Sequence, residues 1–264
     1  MNTKQTLSII LLFAFTFTVN AQANLLNSRV PQEVGKLNEN QIKANDEEPL
    51  SYGFIDDRDV LWSKTIWEII DLDERINFPY YYPTDTINLG SERRSLFDVL
   101  KRGISIGNIK EIYEDDYFKV KMTYAEILER LVKTDTTDIG IDQLNAGLEV
   151  SAEYINTRRI TAEEIEQYLI KGTWYFDKRQ GELKYRLLAI APVAPDLSTI
   201  DNEPDQQDLV PLFWIWYPDA REVLNEAYVF NTRNSSQPIA FDHMLNSRRF
   251  NAVIYKEENV YQDR

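Results

Sequence analysis

Residues 213–217 read Phe-Trp-Ile-Trp-Tyr, and this run limits the fold more than any other stretch of the chain. Successive side chains of an extended strand point to opposite faces, so five large residues in a row put apolar surface on both. Such a strand belongs inside a sheet with packing above and below it. Asp219 and Glu222 follow at the spacing of a carboxylate capping box. Ala220, Val223, Leu224 and Ala227 then fall at i, i+3, i+4 and i+7, the stripe of an amphipathic helix. The segment reads as a buried strand leading into a capped helix, with a ligand or docking surface as the alternative use of its rings. Covering both faces takes a sizeable core, and 264 residues at 43% hydrophobic and 12% aromatic content supply one.

The rest of the chain alternates between helix and strand signals. Asp59 is read as capping a helix with Trp62, Ile66, Ile69 and Ile70 on one face. Pro79 and Pro83 end that helix and favour extended backbone around Tyr80, Tyr81 and Tyr82. Ser95 opens a short helix that Gly103 terminates. Residues 109–122 read as two strands around a turn at Glu114, Asp115 and Asp116. Thr123 with Glu126, and Thr161 with Glu164, have capping-box spacing, the second helix ending at Gly172. Residues 172–192 read as a hairpin turning at 179–182, with Leu183, Tyr185, Leu187 and Ala189 on one face. An acidic loop spans 195–208; a short helix containing His243 and a final strand complete the chain. The expected fold class is α+β, a mixed or antiparallel sheet with capped amphipathic helices over residues 52–264, and any subdivision would fall near 150–160.

The first residues are set apart. One early charge, Lys4, precedes an apolar run from Leu7 to Val19, and Val19-Asn20-Ala21 offers a cleavage site, so residues 1–21 read as a signal peptide. The run is shorter than the ~20 residues of a membrane-spanning helix, which favours cleavage over a retained anchor. Residues 22–51 are polar, free of aromatics up to Leu50 and unpatterned, a flexible leader. Cleavage leaves 28 basic against 43 acidic residues. That balance argues against nucleic acid, whose phosphates need a basic footprint, and against anionic membrane surfaces, while permitting a basic protein partner. There is no cysteine, which excludes disulfides, thiolate metal sites, cysteine nucleophiles and a lipid-modified cysteine.

Catalytic signatures are sparse. The one histidine, His243, lies off the stripe of Phe241, Met244 and Leu245 and reads as a polar-face residue. No zinc-protease, nucleophile-elbow or phosphate-loop pattern occurs. The segment from Asp135 to Ala146 fails as a calcium loop, with Ile139 and Ala146 at ligand positions. The acidic groups at 56–59 and 114–116 are read as helix entry and turn. Paired carboxylates hydrolysing a glycosidic bond remain the open chemistry, since that reaction needs no histidine.

Residues 56–83, 170–192, 211–231 and 241–261 together resemble, in order, the conserved region of the GldN/PorN gliding motility family. The resemblance implies a non-enzymatic structural subunit of the type IX secretion system. Such a subunit is periplasmic, held at the outer membrane through a GldK/PorK-like lipoprotein with which it builds a multi-copy ring. It also contacts a GldM/PorM-like motor component. No cofactor, metal or catalytic residue is implied, nor direct membrane insertion. Partner-binding candidates are Tyr80, Tyr81 and Tyr82, as exposed rings between two prolines, and Arg248 and Arg249. Local packing near Trp62 and Trp67, and pairing within this acidic chain, are the respective alternatives. The competing class is a secreted or periplasmic acidic carbohydrate-active hydrolase or binding protein.

Overall fold

Among the described residues seven strands form one sheet, and every pairing in it is antiparallel. The structure is a computed structural model that describes residues 49, 52–85, 93–149, 151–197, 199, 207–231 and 239–261, all within the unit Glu48–Arg264. The expected signal peptide, the leader apart from Pro49, and most of the acidic loop lie outside the described residues. The strands are β1 (Val60–Asp71), β2 (Ile112–Tyr113), β5 (Gln167–Asp177), β6 (Glu182–Pro195), β7 (Leu209–Pro211), β8 (Trp214–Trp216) and β11 (Val253–Glu257). Their order is β11-β1-β5-β6-β8-β2, with β7 also on β6, while β9 (Tyr228–Val229) and β10 (Ile239–Ala240) form a separate antiparallel pair. Helices complete the α+β architecture: α1 (Phe78–Tyr81), α2 (Leu96–Ile106), α3 (Tyr124–Leu131), α4 (Asp138–Asn145), α5 (Tyr217–Glu226) and α6 (Phe241–Asn246).

β1 corrects the first expectation. Its twelve residues form a strand, not a helix, and Asp56 rather than Asp59 caps the short turn before it. Val60, Thr65, Ile66, Ile69 and Ile70 are β-branched and fit a pleated surface. The middle of β1 is covered on both sides, by β5 and β11 at its edges and by side chains above and below, so its apolar residues lose the simple alternation that would mark a strand.

One face of the sheet carries Ile70, Tyr168, Ile170, Leu187, Ile190 and Ile215 against Phe97 and Leu100 of α2, Ala220 and Leu224 of α5, and Phe241 and Leu245 of α6. The other face has a smaller cluster of Trp67, Ala189, Ala191 and Trp214, covered in part by Tyr113 and Phe118. Phe213, Trp214, Ile215 and Tyr217 are all buried, so the aromatic run is core on both faces. α5 begins at Tyr217 with Pro218 in its first turn, where a missing N–H is harmless. Asp219 does not cap that helix; its Oδ2 accepts from the backbone N–H groups of Lys110 (2.6 Å) and Glu111 (2.9 Å), pinning the entry to β2.

The hairpin β5–β6 forms as expected but with a bulge. Gly172 pairs with Leu187 and Lys171 with Ala189, leaving Leu188 unmatched. The extra residue turns the strand over, so Leu187 joins the helix-covered core while Ala189 joins the opposite cluster, correcting the shared face read from alternation. Gly172 ends no helix. Thr161 and Glu164 cap only a 3-10 turn (Ala162–Glu164) before the chain enters β5. Glycine is required at 172 because a Cβ there would lie 2.2 Å from the Tyr185 Oη. Gly172→Ala is therefore expected to cost about 2–3 kcal/mol by overpacking, read as a lowered urea midpoint at an unchanged slope.

One further glycine assignment changes. α2 starts at Ser95, whose Oγ accepts from the Asp98 N–H (3.3 Å), but it runs through Gly103 and ends at Gly107, at φ 84. A Cβ on Gly103 would sit 2.8 Å from Ile109, so glycine there allows a close packing contact. Residues 109–122 give β2, and the expected second strand is reduced to a bridge between Tyr113 and Lys121. The Thr123–Glu126 capping box forms at the start of α3. Near 150–160, β4 (Ile155–Arg159) pairs with β3 (Val132–Thr136) in a separate two-stranded ribbon with α4 between the strands.

Candidate functional site

Two stretches that sequence reasoning selected are brought side by side: residues 74–82 pack against 249–251. Asn77 is buried at the join. Its Nδ2 donates to the carbonyls of Asp71 (2.7 Å) and Asn251 (3.0 Å), and its Oδ1 accepts from the Asn251 N–H (3.0 Å). Phe78-Pro79 then starts the turn α1 rather than extended chain, since proline suits the first turn of a helix.

That turn sends the three tyrosines different ways. Tyr80 is fully buried, its ring beside Phe241 and Phe250 and its hydroxyl donating to the Arg249 carbonyl (3.4 Å). It is core, and its packing partners are not Trp62 and Trp67. Tyr81 is half-buried and donates to the Glu163 carbonyl (3.0 Å). Tyr82 is 50% exposed and packs edge-on against Phe78 and Tyr81. Phe78, 37% exposed, extends this surface, and Ile76, 57% exposed, precedes it by two residues in the chain. Sequence reasoning missed both; the Phe78-Pro79 pair was the available signal, because a helical turn starting there turns Phe78 outward.

Arg248 and Arg249 also part company. Arg249 is exposed. Arg248 reaches inward to the buried Glu68 with two hydrogen bonds, 2.9 and 2.6 Å, while the Tyr185 hydroxyl donates to the same carboxylate (3.0 Å). The guanidinium lies over the rings of Tyr185 (4.2 Å), Phe250 (5.1 Å) and Trp174 (5.4 Å). Burial works against its charge, yet Glu68 wins and raises its pKa. This is the in-chain pairing that sequence reasoning left open for the arginine.

Several other buried polar groups are likewise used internally. Asp242 accepts from Arg221 Nε and Nη2 (both 2.9 Å), the Tyr217 hydroxyl (2.8 Å) and Asn246 Nδ2 (2.9 Å). Tyr52 lies over Arg221 (4.4 Å) and donates to the Leu187 carbonyl (3.3 Å). Lys171 and Lys256 both lie over Trp67 and Tyr117, held by the Asp116 carbonyl (2.6 Å) and carboxylate (3.2 Å) respectively.

Burial pushes the Tyr52 hydroxyl up to about 12, and Tyr80, Tyr168, Tyr185 and Tyr217 are raised for the same reason. A raised folded-state value contributes stability that is complete below the unfolded value near 10 and is lost as pH climbs through the folded one. The domain is expected to lose stability between pH 10 and 12, with part of the phenolate absorbance appearing only on unfolding. Full tyrosine ionisation in a still-folded domain would contradict this.

A hollow of about 320 Å3 is lined by Glu114, Lys121, Glu126, Glu129 and Arg130 among others. Glu114 is bound by Arg130, and Glu126 is held below the usual carboxylate range by its capping hydrogen bonds to Thr123. The hollow offers no aromatic platform for a sugar. Among the described residues no cluster of three or more histidine, aspartate or glutamate side chains could hold a metal ion, and no helix is long and apolar enough to cross a membrane. His243 is exposed on α6. The turn carboxylates are engaged: Asp56 with Arg58, Asp115 with the Lys119 N–H, and Asp116 with Lys256. A second exposed apolar surface lies on the ribbon, where Ile139, Ile141, Leu144 and Leu148 face solvent.

Residues 55–264 match the family model described as gliding motility associated protein GldN. The chain belongs to the GldN family. The match covers the whole sheet, its helices and the 76–82 surface, so the GldN region and the described domain coincide. No curated protein gives a significant match to the chain. Membership gives the GldN domain a gliding-motility-associated role, which sets the frame for its exposed surfaces.

Proposed function

We propose that the chain is a non-enzymatic assembly subunit of the type IX secretion and gliding machinery. In this reading it resides in the periplasm and builds a multi-copy ring with a GldK/PorK-like outer-membrane lipoprotein. It also contacts a GldM/PorM-like motor component. The observation that carries the reading is the GldN match over residues 55–264. The buried charges support it, because Glu68, Asp242 and Arg221 are spent on holding the fold and aromatic and aliphatic groups remain outside for contact. Work of this kind is binding, with aromatic anchors inside a polar rim.

Deleting the gene tests the role. Loss of protein export and of any surface movement, restored by the wild-type gene, is expected. Normal export in the deleted strain would refute it.

A further inference from the structure

The surface of Phe78, Tyr81 and Tyr82 is bordered by carboxylates that have no counter-ion among the described residues. Asp71 ends β1 opposite Gln167 of β5, and the Leu72 N–H donates to the Glu166 carbonyl (3.0 Å), so the 71–73 turn lies beside residues 163–166. Tyr81, bonded to the Glu163 carbonyl, feels the charges of Glu163 and Asp73. Asp73, Glu163 and Glu166 are exposed. Among the described residues none of Asp71, Asp73, Glu163 and Glu166 forms an ion pair, although Arg75 is close in sequence. The Glu166 carboxyl is raised above its usual range, first by partial desolvation at the strand end and then by repulsion from Asp73 and Asp71.

The same chain shows what such a combination holds. Arg248 lies between Glu68 and the rings of Tyr185 and Trp174; Arg221 lies between Asp242 and Tyr52; Lys256 lies between Asp116 and Trp67. Each is a cation over an aromatic face with a carboxylate beside it, an arrangement strongest for arginine because its planar group stacks and pairs at once. The 76–82 surface has the rings and the carboxylates, and among the described residues no cation lies over its rings.

We propose that this surface docks a basic segment of a partner polypeptide, an arginine or lysine side chain lying over Tyr82 and Phe78 and pairing with Asp73 and Glu166. The aliphatic part of that side chain covers Ile76. Nucleic acid and anionic lipid are repelled by the same rim. The proposal deepens the assembly reading and rests on it for the biological partner, whereas the chemistry of the surface stands without it.

The test uses the full chain and a fluorescent nona-arginine peptide. Tyr82→Ala and the pair Asp73→Asn/Glu166→Gln are each expected to weaken binding by about tenfold or more, the size of one good charge-assisted contact. The charge-matched control Glu149→Gln/Glu153→Gln, on the chain between α4 and β4, is expected to leave binding within about twofold, since exposed charges far from a site are screened. Equal losses in both sets, or none in the first, would overturn the proposal. In native envelopes a photo-crosslinking residue at position 82 is expected to capture a segment carrying arginine or lysine, identified by sequencing the crosslinked peptide. Capture of a neutral or acidic segment, or of nothing, would also overturn it. If those results came with normal co-assembly, this surface would fall and the assembly reading would stand.

Discussion

Arg248→Met is expected to destabilise the domain by about 3–5 kcal/mol, because it leaves the Glu68 carboxylate buried without its partner. The pair joins residues 180 apart in sequence, with Glu68 on β1, the strand next to the β11 edge, and Arg248 just after α6. Arg248 also sits at φ 50, in the left-handed region that a non-glycine residue avoids. Backbone strain of that kind costs roughly 1 kcal/mol or more and persists where surrounding contacts outweigh it. The informative comparison is the double variant Glu68→Met/Arg248→Met. Replacing both charges by apolar groups removes the orphan, so the double variant is expected to regain a large part of the loss. Urea unfolding of the three variants measures the coupling. A double variant as unstable as the sum of the two single ones would show that the pair is not what holds Arg248 in place.

Asp242→Ala is expected to cost a similar amount, about 3–5 kcal/mol, by stranding the Arg221 guanidinium. It also removes the acceptor for the Tyr217 hydroxyl and for the Asn246 amide. These groups tie α5 to α6 over the sheet, so the loss is expected to spread. Hydrogen exchange should speed up in both helices while β1 and β5 keep their protection. Exchange that rose uniformly over the whole domain would mean that the network serves global stability alone. Should Asp242→Ala fail to fold, Tyr217→Phe removes one hydrogen bond only, at a cost of about 1 kcal/mol, and should show the same local pattern in weaker form.

What could be read from the sequence was what neighbouring residues decide among themselves. The aromatic run 213–217, the stripe of α5 and the hairpin of β5 and β6 are local patterns, and the structure has all three. The Thr123 capping box is local as well and forms. The failures occur where distant groups decide. β1 mimics a helical stripe because Ile66 and Ile70 are buried on one face and Trp67 on the other, while Glu68 is admitted to the interior only by Arg248. Asp219 has the spacing of a cap, but two N–H groups more than a hundred residues earlier claim its carboxylate. Gly172 looks like a helix stop until the Tyr185 hydroxyl is placed above it.

The candidate surface divides in the same way. Three consecutive tyrosines between prolines drew attention to this segment, yet periodicity could not say which ring turns inward. Tyr80 does, because Phe241 and Phe250 wait for it across the core. Phe78 meets Tyr82 through the local turn, whereas the carboxylates at 163 and 166 come beside the 71–73 turn only once β1 and β5 are paired at their ends.

The central claim is that the protein works by contact with other chains. Its most direct test is the mass and composition of the native particle released from envelopes under mild detergent. The account predicts a particle several times heavier than one chain, containing an outer-membrane lipoprotein in repeated copies. Recovery of the chain alone as a monomer, without a lipoprotein attached, would contradict it.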